Sequence, residues 1–292
     1  MAITINRSRS FKTRLFSVSL WLFGSLFPLS AQLLWKVSGQ NLSHASYLFG
    51  TIHIVPEDRF IVWPAVDSAF RNSRLLVMEL DIDLSTSEMI QAARQMSLPA
   101  GRSLEDYLPP ASYAAMRAYC LDSLGWKNKK FKRCARMKPF YFSSLVLSEQ
   151  LGKVSGYEQY FSKQAKRLKM PLRALETLQE QLDAVDAISV IEQASMLGES
   201  LQAGKKEFDS MLGLYLNRDL IALGNLMKEE SAGVDGFTET MLTKRNQNWM
   251  LQLKALLPEQ DLFIAVGAGH LPGAEGLIEL LRKEGFTVEP IW

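Results

Sequence analysis

Apolar runs too short for helices mark both ends of this chain. Residues 33–37 (Leu-Leu-Trp-Lys-Val) and 46–50 (Ser-Tyr-Leu-Phe-Gly) predict a β-hairpin, with Gly39, Gln40 and Asn41 between its arms. After Pro64 the period becomes helical, with Val66, Ala69 and Phe70 as the inner face. Residues 74–81 read as a buried strand ending in acids. Towards the other terminus, residues 261–266 form a second buried strand, residues 272–284 a helix and residues 286–291 a last strand. The middle, about 85–257, is mostly helical and is punctuated by Pro109, Pro110, Pro139 and Gly152. Within it, a basic amphipathic helix opens at Gly156, and residues 172–175 predict a short strand.

The two ends share one plan: strand, Gly-x-x-His, helix, strand. One copy carries Gly50-Thr-Ile-His53, the other Gly267-Ala-Gly-His270. Glycine is expected to let the chain turn sharply past each strand. Strand–helix–strand units of this kind make parallel pairs. The expected fold is therefore α/β, a sheet built from both ends as two such units, with a large helical middle insertion and a single domain over 32–292. His53 and His270 would then meet at the carboxyl edge of the sheet, where open α/β folds keep their ligands.

The chain has three histidines, and the motifs use two of them. His44 lies near the hairpin turn and reads as a solvated loop residue. Glu79 ends a strand expected beside the His53 strand, and alternation would put Asp81 and Asp83 on its face. Two histidines and a carboxylate are the smallest common set for a catalytic divalent metal, here Mn, Co or Zn. Against that, Glu79 could cap a strand edge or pair with an arginine. Glu176 falls at a strand-to-helix junction, where first-turn stabilisation is the ordinary role. Arg245 and Asn246 lie in a helix, exposed by default, where an arginine could clamp a substrate carboxylate or carbonyl. His-Glu-x-x-His, Gly-x-Ser-x-Gly and phosphate-loop motifs are absent.

The formal charge of +2 changes meaning once its source is seen. Residues 1–31 hold Arg7, Arg9, Lys12 and Arg14, no acid, and an apolar stretch over 15–27. They read as a signal peptide cleaved after Ala31, for a periplasmic or secreted protein with no stable membrane span after cleavage. The remaining 29 basic and 31 acidic residues give nothing to recruit nucleic acid. Export predicts a disulfide between Cys120 and Cys134, which flank a strongly basic loop at 127–133. Asn41-Leu-Ser43 is a glycosylation sequon.

In this order, residues 48–53 (Leu-Phe-Gly-Thr-Ile-His), 76–81 (Leu-Val-Met-Glu-Leu-Asp), 175–181 (Leu-Glu-Thr-Leu-Gln-Glu-Gln), 245–249 (Arg-Asn-Gln-Asn-Trp) and 266–273 resemble the TraB/GumN family, in particular its GumN-like bacterial members. The resemblance implies distant similarity to Tiki metalloproteases, whose paired Gly-x-x-His motifs and a Glu form a metal-dependent centre. It places His53, His270 and Glu79 at that centre and Glu176, Arg245 and Asn246 at recurring polar positions. It implies a metal-dependent hydrolase, peptidase- or amidase-like, acting on a peptide or protein. The rival is a binding protein without turnover that sequesters a peptide, haem or a polysaccharide fragment in the same cleft. One departure is Tyr215-Leu-Asn-Arg-Asp219, where related sequences usually show Trp and Gly-Asp, which puts a helix junction in doubt.

Overall fold

The hairpin and the apolar runs become one sheet. The computed structural model describes residues 32–40, 42–230, 234 and 236–292, so the signal segment 1–31 and Asn41 of the sequon lie outside the described residues. Strands β1 (Leu34–Ser38) and β2 (Ser46–Thr51) are followed by the short β3 (Val55–Pro56), helix α1 (Pro64–Arg71) and β4 (Leu75–Met78). The middle supplies α2 (Thr86–Gln95), α3 (Pro110–Ala118), α4 (Asn128–Cys134) and α5 (Pro139–Leu151). Next come β5 (Val154–Ser155), α6 (Tyr157–Leu168), β6 (Leu172–Ala174), α7 (Leu178–Asp186), α8 (Val190–Leu216), α9 (Leu220–Glu230) and α10 (Lys244–Leu256). The chain closes with β7 (Leu262–Gly267), α11 (Leu277–Lys283) and β8 (Thr287–Pro290).

The six-stranded sheet runs β6-β4-β7-β2-β1-β8. Strands β6, β4, β7 and β2 are mutually parallel, and β1 is antiparallel to both of its neighbours. All four residues of β4 and five of the six in β7 are buried, as expected for strands covered on both faces. Phe161 of α6 bridges Phe70 of α1 and Phe263 of β7, with ring centroids 5.1 and 4.8 Å away. Prolines stand at the first position of α1, α3 and α5, where a missing N–H costs nothing.

The two strand–helix–strand units differ in their crossovers. The β2-α1-β4 crossover skips one strand, β7, whereas β7-α11-β8 skips β2 and β1. Strand β4 pairs with β7 and β6, so Glu79 emerges beside the His270 strand and not the His53 strand. The helical middle is not merely an insertion, since it contributes β6 to the main sheet and β5 to a pair with β3. Helix α11 begins at Leu277, five residues later than the proline suggested, because Gly273 turns the chain at φ 89°.

The cysteines are corrected too. The basic segment 127–133 is largely helix α4, not a loop. Cys120 and Cys134 are free, buried thiols in a second apolar core with Leu104, Met116, Trp126, Phe131 and Phe142. They pack there as small apolar side chains, and burial, aided by Cys134, pushes the Cys120 thiol up to about 11.

The α8–α9 junction explains the unusual segment at 215–219. Arg218 takes φ 62°, a left-handed conformation that suits glycine, and Asp219 Oδ1 caps α9 by accepting from Ala222 N–H at 3.0 Å. Among the described residues no helix is long and apolar enough to cross a membrane.

Candidate functional site

Four adjacent parallel strands deliver four candidate residues to one edge. Past the carboxyl ends of β6, β4, β7 and β2 stand Glu176, Glu79, His270 and His53 in turn. A methyl group placed on Gly267 would sit 3.1 Å from Glu79 Oε1, 3.6 Å from His270 Cδ2 and 3.9 Å from His53 Nε2. The three side chains therefore surround one point. Glycine is needed at 267 for space rather than for turning, since its φ is −52°.

The two histidines are not equivalent. Thr51 pairs with Gly267 and Gly50 with Val266, so the motifs are one residue out of phase. A one-residue shift sends side chains to opposite faces of a strand. His270 ends a 3-10 turn over Ala268–His270 and is 4% exposed, whereas the His53 side chain is 68% exposed.

Asn246 decides the His270 tautomer. Its Nδ2 donates to the carbonyls of His270 (3.2 Å) and Glu275 (2.8 Å), which accept only. Asn246 Oδ1 must then face His270 Nδ1, at 2.7 Å, so Nδ1 carries the proton and donates it. His270 Nε2 accepts from Arg245 Nη1 at 3.2 Å. Burial, only partly opposed by the charge of Glu79, pushes the ring down to about 3, so it is neutral. Trp249 lies against it with centroids 4.3 Å apart.

Arg245 is the hub of the buried polar group. Its Nε and Nη2 grip Glu176 in a fork at 2.9 and 2.6 Å, and Nη2 also reaches Glu79 Oε2 at 2.7 Å. Nη1 donates to Met241 O at 2.9 Å and to His270. All five guanidinium N–H groups are engaged. Arg245 is therefore not an exposed clamp awaiting substrate, and neither it nor Asn246 is at the surface.

Glu176 is placed by its own stretch of sequence. Thr177 caps α7 in a capping box with Glu180, fixing the helix start one residue on, and Gln181 Nε2 donates back to Glu176 Oε1 at 3.1 Å. With Trp249 Nε1 at 3.2 Å, Glu176 is fully bonded, and its main partner is Arg245 rather than the helix dipole. Burial raises its pKa against the pull of Arg245.

Glu79 Oε1 accepts the Gly267 N–H at 2.6 Å. Burial opposes its ionisation. The His270 and His53 rings, Arg245 and the Gly267 N–H outweigh it and hold the carboxyl at about 2. Asp81 and Asp83 do not join it. Strand β4 ends at Met78, alternation stops there, and Asp83 turns out to an ion pair with Lys166. His44 stays at the surface, 3.5 Å from Asp261.

His53 Nδ1 lies 3.0 Å from Glu158 Oε1, which also accepts from Thr51 Oγ1 at 2.8 Å. Desolvation opposes protonation of the ring, but the hydrogen bond and charge of Glu158, with Glu79 beyond, raise it to about 9. Sequence reasoning passed over Glu158 and met Trp249 only as the last residue of the 245–249 segment, without a role. An acid in a helix's first turn is an ordinary feature and carries no distinguishing signal.

The donor chemistry suits a divalent ion: two Nε2 atoms and a carboxylate oxygen, each histidine tied at Nδ1 to an oxygen. The set is not closed, however. His270 Nε2 and Glu79 Oε1 are 3.8 Å apart with Arg245 against both. Among the described residues no three His, Cys, Asp or Glu side chains are grouped tightly enough to hold an ion.

The chain is 28% identical to the Metalloprotease TIKI1 of Danio rerio, covering 84% of this chain and 60% of that protein. The human Metalloprotease TIKI1 is 27% identical over 84% and 59%, and the Metalloprotease TIKI homolog of Nematostella vectensis 24% over 84% and 64%. The chain thus spans about 60% of the length of these relatives. No solved structure matches it. The TraB/PrgY/gumN family model matches residues 33–290, essentially the whole described chain, and the protein belongs to that family.

Proposed function

We propose that this chain is an exported metal-dependent hydrolase of peptide or amide bonds, working as one domain over 32–292 in the periplasm or outside the cell. The observation that carries the reading is the anchoring of both histidines through Nδ1. That arrangement directs each Nε2 towards the point that Glu79 also borders, His270 Nε2 with a free lone pair and His53 Nε2 as a donor once an ion displaces its proton. His53 and His270 would hold the ion, Mn, Co or Zn, with Glu79 as a third ligand or as the base that activates water. Such an ion lowers the pKa of a bound water and polarises a carbonyl.

The chain's own groups prepare the rest. Arg245 and the Gly267 N–H keep Glu79 ionised and aimed. Asn246 keeps a lone pair on His270 Nε2, and Trp249 closes that side to water. Binding an ion requires Arg245 Nη1 to release His270 Nε2, because that nitrogen has one lone pair. His53 lies on the open side, where a peptide or protein substrate would enter. Relatives named metalloproteases support the same chemistry.

The test is metal titration of purified protein beside His53→Ala and His270→Ala. The wild type is expected to take up Mn²⁺, Co²⁺ or Zn²⁺ and both variants to lose it. Equally poor binding by all three proteins means that the metal role is wrong.

One observation favours a second reading. Arg245 already satisfies Glu79 and His270, and a site whose polar groups are so satisfied can recognise without turnover. The chain would then sequester a peptide, haem or a polysaccharide fragment. Incubation with a peptide library and divalent metal separates the two. Cleavage abolished by chelator supports the hydrolase; saturable binding without product supports sequestration.

A further inference from the structure

We infer that Glu158 is a positioning residue for His53, holding the ring so that Nε2 faces the side of the cleft where Glu79 and His270 lie. The inference rests on reading His53 as part of the centre. It starts from the way the chain brings α6 there. Strand β3 begins two residues after His53 and pairs with β5, Val55 opposite Ser155, which sets the start of α6 against the His53 loop. Gly156 permits the approach, since a Cβ there would lie 2.7 Å from the His53 carbonyl oxygen. Tyr157, buried, donates from its hydroxyl to Ile61 O at 2.5 Å and pins the far side of the same loop.

This seating turns Glu158 inward. Its side chain is 16% exposed, although an acid in a first turn would ordinarily stand in solvent beside the helix N-terminus. One oxygen, Oε1, accepts from both Thr51 Oγ1 and His53 Nδ1. The Thr51 hydroxyl has a single proton, and giving it to Glu158 fixes the carboxylate from the β2 side. Glu158 thus does for His53 what Asn246 does for His270, from a different helix and with a carboxylate in place of an amide.

The test uses the full chain carrying Glu158→Ala, Glu158→Gln or His53→Ala, with two readouts. The first is Co²⁺ affinity by calorimetry. Glu158→Ala is expected to weaken it by about 10–100-fold, and Glu158→Gln, which keeps an acceptor oxygen, by less. The second is the ring-nitrogen NMR shifts of His53 in metal-free protein, expected to move in Glu158→Ala and to be largely restored in Glu158→Gln. Loss of Co²⁺ binding in His53→Ala but not in Glu158→Ala would overturn the positioning role and leave the metal reading standing. Should no protein bind Co²⁺, the metal reading fails and the ring shifts decide alone. Unchanged shifts in Glu158→Ala would overturn the inference; altered shifts support it. If Glu158→Ala does not fold, Thr51→Val gives the comparison, since it removes the hydroxyl that fixes the carboxylate while leaving the carboxylate itself in place.

Discussion

Arg245 carries more of the buried polar group than either histidine. Breaking a buried pair leaves its partners charged and uncompensated. Arg245→Ala should therefore destabilise the protein by about 3–5 kcal/mol in urea unfolding, as Glu176 and Glu79 both lose their counter-charge. Arg245→Lys should not rescue it, because an ammonium cannot reproduce the fork onto Glu176. Gly267 is sensitive for a steric reason. A methyl there would press on Glu79 Oε1 at 3.1 Å, so Gly267→Ala should cost about 1–3 kcal/mol and weaken divalent metal binding together. Unchanged unfolding and unchanged metal affinity would show that the glycine is dispensable.

Among the elements, the α8–α9 junction stores strain that can be measured. Arg218 holds a left-handed conformation that costs a non-glycine residue about 1–2 kcal/mol, while glycine's extra unfolded-state freedom returns about 0.5–1 kcal/mol of that. Arg218→Gly should raise stability by up to about 1 kcal/mol, provided that the contact of Arg218 with Gln32 at 3.4 Å contributes little. The opposite sign in thermal melts would mean that this contact matters more than the backbone. The cysteine-bearing core of α3–α5 makes a separate statement. Unreduced protein in denaturant should titrate two thiols, and the folded protein should react slowly, because both are buried.

The molecule as a whole should respond to acid through its buried site. Folded His270 stays neutral down to about 3, while in the unfolded chain it takes up a proton near 6.5. Folded Glu79 stays ionised to about 2, against 4.5 unfolded. In both cases the unfolded state binds more protons, so stability falls as pH falls. The loss should begin below about 6.5 from His270 and steepen below about 4.5 from Glu79. Melting of metal-free protein across this range should show it, and Glu79→Gln should flatten the lower part of the slope. A melting temperature that rises as pH falls from about 6.5 to 4.5 would contradict the assignment of a neutral His270.

The limits of local pattern follow from the same groups. The hairpin, α1 with its buried Val66, Ala69 and Phe70, and the apolar runs of β4 and β7 were legible in the sequence. So was the family, through short motifs spread from residue 48 to residue 273. These features depend on neighbours a few residues apart, where hydrophobic period and proline act directly. Strand order was not legible. Nothing local says that β7 inserts between β2 and β4, or that the two Gly-x-x-His frames pair one residue out of phase. That offset separates an exposed His53 from a buried His270 and assigns them Glu158 and Asn246 as partners. Arg245 looked like an exposed helix residue because its period is ordinary; only the meeting of β4, β6, β7 and α10 made it the buried centre of two carboxylates and an imidazole. The sequence by itself determined which segments could be strands and which residues could do chemistry. The tertiary structure alone decided which of them meet, because parallel pairing joins strands far apart in the chain and the charges of a buried site take their meaning from one another.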